Sequence, residues 1–195
     1  LIMFKFLISF FLISCVTAKF ALTNTSVIPG FVAVSNETTH PSVPITACNW
    51  GAVLKQCDSR WANNPLGTSS NTICRAGCAM SSLAMYLTSR GHSETPGSLN
   101  KWLTAHNGYA SGDLLIWGSV DSTFGVSYQG QEQPSESVMA AGLAKCHGLI
   151  ANVRNGEHWV LLTGYRGNGV FDVHDPGFSV NTYTRSEMGE ISVYH

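Results

Sequence analysis

The order in which hydrophobic periodicities occur along the chain is the tightest constraint on its fold. Residues 77–90, GCAMSSLAMYLTSR, carry apolar side chains at Ala79, Met80, Leu83, Ala84 and Leu87. That spacing predicts an α-helix ended by Gly91. Thr95-Pro96 reads as an N-cap with proline in the first turn of a second helix, which turns Leu99, Trp102 and Leu103 inward. A third, short helix is expected near Ser135 to Lys145. The period then changes. Gly148 to Arg154, His158 to Tyr165, Val170 to Asp175 and Glu190 to Tyr194 read as strands, with Arg166-Gly167-Asn168-Gly169 as a tight hairpin signal. Helices first and strands last predict an α+β fold, N-terminal helices on a C-terminal antiparallel sheet, rather than a doubly wound one. The 195 residues suffice for one domain with a proper core, and no internal repeat is visible.

Charge excludes some partners. The formal net charge is -1 and only 12% of residues are charged, so no broad attraction to nucleic acid or anionic membrane is implied. Glycine, Ser, Thr and Asn take the place of the missing charges, a mix suited to a turn-rich extracellular domain. The N-terminal stretch points the same way. Lys5 precedes an apolar run from Phe6 to Val16, and Val16-Thr17-Ala18 puts small residues where a signal peptidase inspects the chain. Residues 1–18 therefore read as a secretory signal peptide. The run falls short of the roughly 20 apolar residues that cross a bilayer. Leu12-Ile13-Ser14-Cys15 also resembles a lipoprotein cleavage box, which is the minor alternative. Residues 19–46 form a Ser/Thr-rich leader with sequons at Asn24 and Asn36, candidates for glycosylation in a eukaryotic host. Residues 47–195 are expected to fold, outside the cell or in a secretory lumen, as a monomer.

Cysteine arithmetic narrows the chemistry. Of six cysteines, Cys15 belongs to the signal peptide, leaving Cys48, Cys57, Cys74, Cys78 and Cys146. An odd number in an oxidising compartment reads most economically as two disulfides and one free thiol. With Cys48, Cys57, Cys74 and Cys146 as the partners, three connectivities remain open. Cys74 and Cys78 lack a second pair at finger-like spacing, so neither a metal nor a cofactor is expected.

Cys78 opens the first helix. A sulfur there faces unpaired backbone N–H groups and the positive end of the helix dipole, surroundings that favour a thiolate. Gly77 before it leaves room for a substrate backbone. A thiolate nucleophile needs a base that also protonates the leaving group. Among seven histidines, His158 alone opens an apolar strand, His-Trp-Val-Leu-Leu-Thr-Gly. Hairpin parity then chooses its carboxylate. With Gly167-Asn168 as the loop, Asp175 pairs with Val160 and shares a face with His158. Asp172 pairs with Thr163, and His174 with Leu161, and both face the other way; a three-residue loop would reverse this choice. Gln56 could supply the side-chain donor of an oxyanion hole. Trp61, Trp117 and Trp159 are candidates to line a cleft, with core packing as the competing reading.

Together these segments resemble the papain-like bacteriocin-leader peptidases and their free-standing secreted relatives. The likeness is carried by Leu54 to Ala62, Ala76 to Met85, Thr95-Pro96 with Leu99 and Trp102-Leu103, His158 to Tyr165, and Asp175-Pro176-Gly177. It implies a papain-like cysteine proteinase fold, with Cys78 as nucleophile, His158 as base, Asp175 as orienting acid and Gln56 as oxyanion donor. Cys57 stands where relatives often carry an aromatic. The expected activity is hydrolysis of peptide bonds in a peptide or protein substrate. Two other functions fit the same sequence: an enzyme cleaving peptide crosslinks of bacterial cell walls, and a disulfide-stapled binding module without turnover.

Overall fold

The computed structural model describes residues 48–195. The expected signal peptide, the leader, both sequons and Cys15 lie outside the described residues. Helices α1 (Ile73–Ala76), α2 (Cys78–Ser89) and α3 (Pro96–Ala105) come first, followed by a two-stranded hairpin, β1 (Tyr109–Ala110) and β2 (Leu114–Leu115). After α4 (Asp121–Phe124) come β3 (Tyr128–Glu132), α5 (Glu136–Ala144), β4 (Gly148–Val153), β5 (His158–Gly167), β6 (Val170–His174), β7 (Thr182–Thr184) and β8 (Met188–Tyr194). The last six strands form one antiparallel sheet in the order β3-β8-β4-β5-β6-β7.

The helices end where local chemistry ends them. In α3, Thr95 Oγ1 accepts from the Ser98 N–H at 3.1 Å while Ser98 Oγ accepts from the Thr95 N–H at 2.8 Å, and Pro96 fills the first turn. Ser135 Oγ accepts from the Val138 N–H at 3.4 Å and starts α5. α2 differs from an amphipathic surface helix: every residue from Met80 to Leu87 is buried. Such a helix runs through the core instead of along its edge. It packs on β4, β5 and α3, and Ser82 Oγ ties it to the sheet by donating to the Trp159 carbonyl at 3.1 Å. Leu83, with no exposed surface, stands for the cost of disturbing this contact, about 2–5 kcal/mol on truncation to alanine.

The sheet departs from the sequence reading in its details. β8 begins at Met188 rather than Glu190, β6 stops at His174, and β3, β7 and the small β1-β2 hairpin carry too little periodicity to be read. The β5–β6 turn is Asn168-Gly169, one residue beyond the expected Gly167-Asn168, with Gly167 paired to Val170. Two irregularities in β5, around Thr163 and Arg166, then shift the ladder. Asp172 consequently pairs with Gly164 and not with Thr163. Past both shifts His174 sits opposite Leu161 and Val173 opposite Leu162. The register at the site end is thus the one parity predicts, reached by a different turn and two compensating bulges. The reason is burial: Val160, Leu162, Phe171 and Val173 must keep their faces, so the turn yields.

Candidate active site

The turn from α1 to α2 sets the first side chain. Gly77 donates its N–H to the Ile73 carbonyl at 2.8 Å and accepts from the Ser81 N–H at 2.9 Å, so one residue closes one helix and opens the next. A Cβ at this position would stand 2.5 Å from the Ile73 oxygen. The room that glycine provides is therefore taken by the preceding turn and not, as the sequence suggests, kept for a substrate. Gly77 has no side chain to cap α2, so the first-turn N–H groups stay unclaimed beside Cys78. Cys78 is half-buried and is the one free cysteine among the described residues. Disulfides join Cys48 to Cys146 and Cys57 to Cys74.

The opposite wall comes from the β5–β6 hairpin. His158, 5% exposed, bonds through Nε2 to Asp175 Oδ1 at 2.7 Å, leaving Nδ1 for other work. The Asp175 carboxylate is 1% exposed and fully engaged. Oδ1 also accepts the N–H groups of Gly177 and Phe178, each at 2.8 Å, and Oδ2 accepts the Tyr183 hydroxyl at 3.1 Å. Burial works against its charge, but the bond from His158 and the two backbone donors hold it below the usual carboxylate range. For His158 burial likewise disfavours the charged ring. Asp175 first and then Cys78 outweigh it, raising its pKa to about 9. Cys78 is thus among the groups that favour the imidazolium, and it lines the same groove as His158. Asp172 faces outward and pairs with Arg166 on the surface.

Gln56 is 7% exposed and held at both ends. Its backbone N–H donates to the Pro176 carbonyl at 2.9 Å, and Nε2 donates to the Cys74 carbonyl at 2.6 Å. The second Nε2 hydrogen stays available, whereas Oε1 is buried without a partner. Gln56, Cys78 and His158 share one open groove of about 760 Å³, with Asp175 behind His158. A thiol next to an imidazole, an imidazole braced by a buried carboxylate, and free N–H groups nearby can carry out acyl transfer.

A sequence model of the Peptidase_C39 like family matches residues 55–194. The chain belongs to that family. It is a relative of the papain-like cysteine peptidases, its helices and antiparallel sheet form a papain-like fold, and its general activity is that of a cysteine peptidase acting on peptides. No curated protein and no solved structure matches it.

This Peptidase_C39-like chain surrounds the four residues with others that the sequence did not single out. Lys55 Nζ donates to the carbonyls of Asp175 and Phe178, at 2.7 and 2.6 Å, and clamps the turn after β6. Phe178 lies edge-on to the His158 ring, centroids 4.9 Å apart, and the Arg154 guanidinium lies over the Phe178 ring, 4.2 Å from its centroid. A Cβ at Gly177 would stand 2.9 Å from His158 Cε1, so glycine is needed for the ring to sit there. Only Pro176-Gly177 was a readable signal for this turn; Tyr183 and Lys55 had none. Trp117 and Trp159 line the groove, with rings 4.9 Å apart, but Trp61 is core, donating its indole N–H to the Lys55 carbonyl. Among the described residues no group of three or more His, Cys, Asp and Glu side chains is placed to hold a metal ion, and no helix is long and apolar enough to cross a membrane.

Proposed function

We propose that the protein is a secreted peptidase that cleaves peptide bonds with Cys78 as nucleophile, His158 as general acid and base, Asp175 as the group that orients His158, and Gln56 as oxyanion donor. The observation that carries the reading is the free Cys78 thiol opening onto a groove beside an imidazole tied to a buried carboxylate. Two disulfides support an oxidising compartment.

The Cys78 thiolate attacks the carbonyl carbon, and the second Nε2 hydrogen of Gln56 and the Cys78 N–H receive the developing oxyanion. His158 passes its proton to the leaving amine, the C–N bond breaks, and a thioester remains on Cys78. His158 then takes a proton from water, which attacks the thioester. The acid departs and the sulfur regains its starting state. Asp175 keeps Nε2 occupied, so Nδ1 is the nitrogen that exchanges protons.

The test is turnover of denatured protein by the native chain and by Cys78→Ala, with purified peptidoglycan assayed in parallel to separate the substrate classes. Native protein should turn over a substrate and Cys78→Ala should fall to background while its thermal transition is kept. Iodoacetamide should add one label, at Cys78. A Cys78→Ala variant with full activity would overturn the assignment.

A further inference from the structure

The Cys57–Cys74 disulfide stands at an unusual place for a staple. Cys57 directly follows Gln56, and Cys74 lies in α1, one turn before Cys78. The carbonyl that receives the Gln56 amide is that of Cys74 itself, at 2.6 Å. The crosslink and this hydrogen bond therefore join the same two segments side by side. Gln56 belongs to no helix or strand; it sits in a turn that follows the irregular residues 51–55. Its remaining anchor is the bond from its N–H to the Pro176 carbonyl, which holds the backbone and leaves the side-chain torsions free. With Oε1 unpartnered, the bond from Nε2 to the Cys74 carbonyl is the one side-chain hydrogen bond that sets the plane of the amide. Both sulfurs line the groove together with Cys78, and Cys57 is exposed. The second disulfide, Cys48–Cys146, spans 98 residues and does not line the groove.

We infer that the Cys57–Cys74 disulfide positions the Gln56 amide for the oxyanion, so that this groove needs one sulfur reduced and a neighbouring pair oxidised. The inference rests on the peptidase reading above. Opening the crosslink leaves the Cys78–His158–Asp175 arrangement in place, because none of its contacts runs through Cys57. What it releases is the orientation of the Gln56 donor, an interaction used in the transition state and not in substrate binding. Such a change lowers kcat with little change in KM.

The experiment is a double-mutant cycle between Gln56→Ala and the pair Cys57→Ser/Cys74→Ser, read as kcat and KM on a peptide that the native protein cleaves. Gln56→Ala should lower kcat about 10²-fold in the crosslinked background. The serine pair alone should lower kcat about tenfold or more, leave KM within about twofold, and shrink the effect of Gln56→Ala. The rate of Cys78 alkylation should stay unchanged. As a control for loss of stability, Cys48→Ser/Cys146→Ser should lower the melting temperature and keep kcat. If the serine pair does not fold, the native protein can be treated with a dithiol, which closes to a cyclic disulfide as it delivers two electrons and two protons to Cys57–Cys74. Turnover should fall in step with that opening, followed by mass spectrometry after alkylation. An equal cost of Gln56→Ala with and without the crosslink, or full kcat with the crosslink open, overturns the inference. A native protein that neither cleaves peptide nor alkylates at Cys78 overturns the peptidase reading instead.

Discussion

The helix wall of the groove takes Gln56, Cys57, Cys74 and Cys78 from within residues 56–78, whereas the strand wall brings His158 to Asp175 across a hairpin. Both walls join residues a similar distance apart, 18 from Gln56 to Cys74 and 17 from His158 to Asp175. The first is held by discrete links: a glycine turn, a short helix, one side-chain bond and a crosslink. The second depends on a ladder whose turn lies far from the site and whose register shifts twice on the way. The difference teaches where each wall is vulnerable. The helix wall depends on bonds that a single substitution removes. The strand wall depends on which faces of β5 and β6 are buried, and it tolerates changes at the turn provided those faces are kept.

The largest expected effect on this comparison comes from Asp175→Asn. It leaves the strand register alone but exchanges a buried anion for an amide whose oxygen can still accept the Nε2–H, as the asparagine of Cys-His-Asn triads does, so kcat should fall about tenfold through the lost charge. A loss below about threefold would mean that the hairpin positions His158 without help from that charge. The pH profile comes next. The pKa of His158 is raised to about 9, chiefly by Asp175 and then by Cys78 acting against burial. Activity that needs the imidazolium should therefore fall tenfold per pH unit above about 9, and Asp175→Asn should move that limb to lower pH. The same raised pKa adds stability that is complete below the ordinary histidine value of about 6.5 and is lost as pH climbs through about 9. A kcat/KM profile that stays flat to pH 10 would contradict the assignment. The smallest effect belongs to deleting Thr163 and Arg166 together, which removes both irregularities and leaves every other β5–β6 pair matched. The exposed Arg166–Asp172 pair lost with it contributes little. Turnover should stay within about threefold of native. A collapse would show that the bulges, and not the buried faces, hold the register.

Much of the fold was legible in the chain. The helix beginning at Cys78, the Thr95-Pro96 start and strands β4, β5, β6 and β8 follow from periodicity and caps, which act within a few residues. β3 and β7 were not legible, because Tyr-Gln-Gly-Gln-Glu has a single apolar side chain and Thr-Tyr-Thr is three residues long, too little of either for a period to show. Around the groove, Gln56, Cys78, His158 and Asp175 were picked out by residue type and order, yet their support was hidden. Tyr183, Lys55 and Phe178 reach Asp175 or His158 from separate segments, and no local pattern marks a residue for a contact of that kind.

By itself the sequence determined the order of the longer helices and strands, the odd number of cysteines among residues 48–195, and a cysteine at a helix start. These are properties of neighbours along the chain. Only the tertiary structure decided that Cys48 joins Cys146 and Cys57 joins Cys74, that the hairpin turn slips by one residue while the site keeps its register, and that Gly77 serves the turn behind it. Each of those outcomes is a competition among distant contacts. It is settled by which arrangement buries apolar faces and satisfies polar groups at once, and that balance exists only when the whole chain is packed.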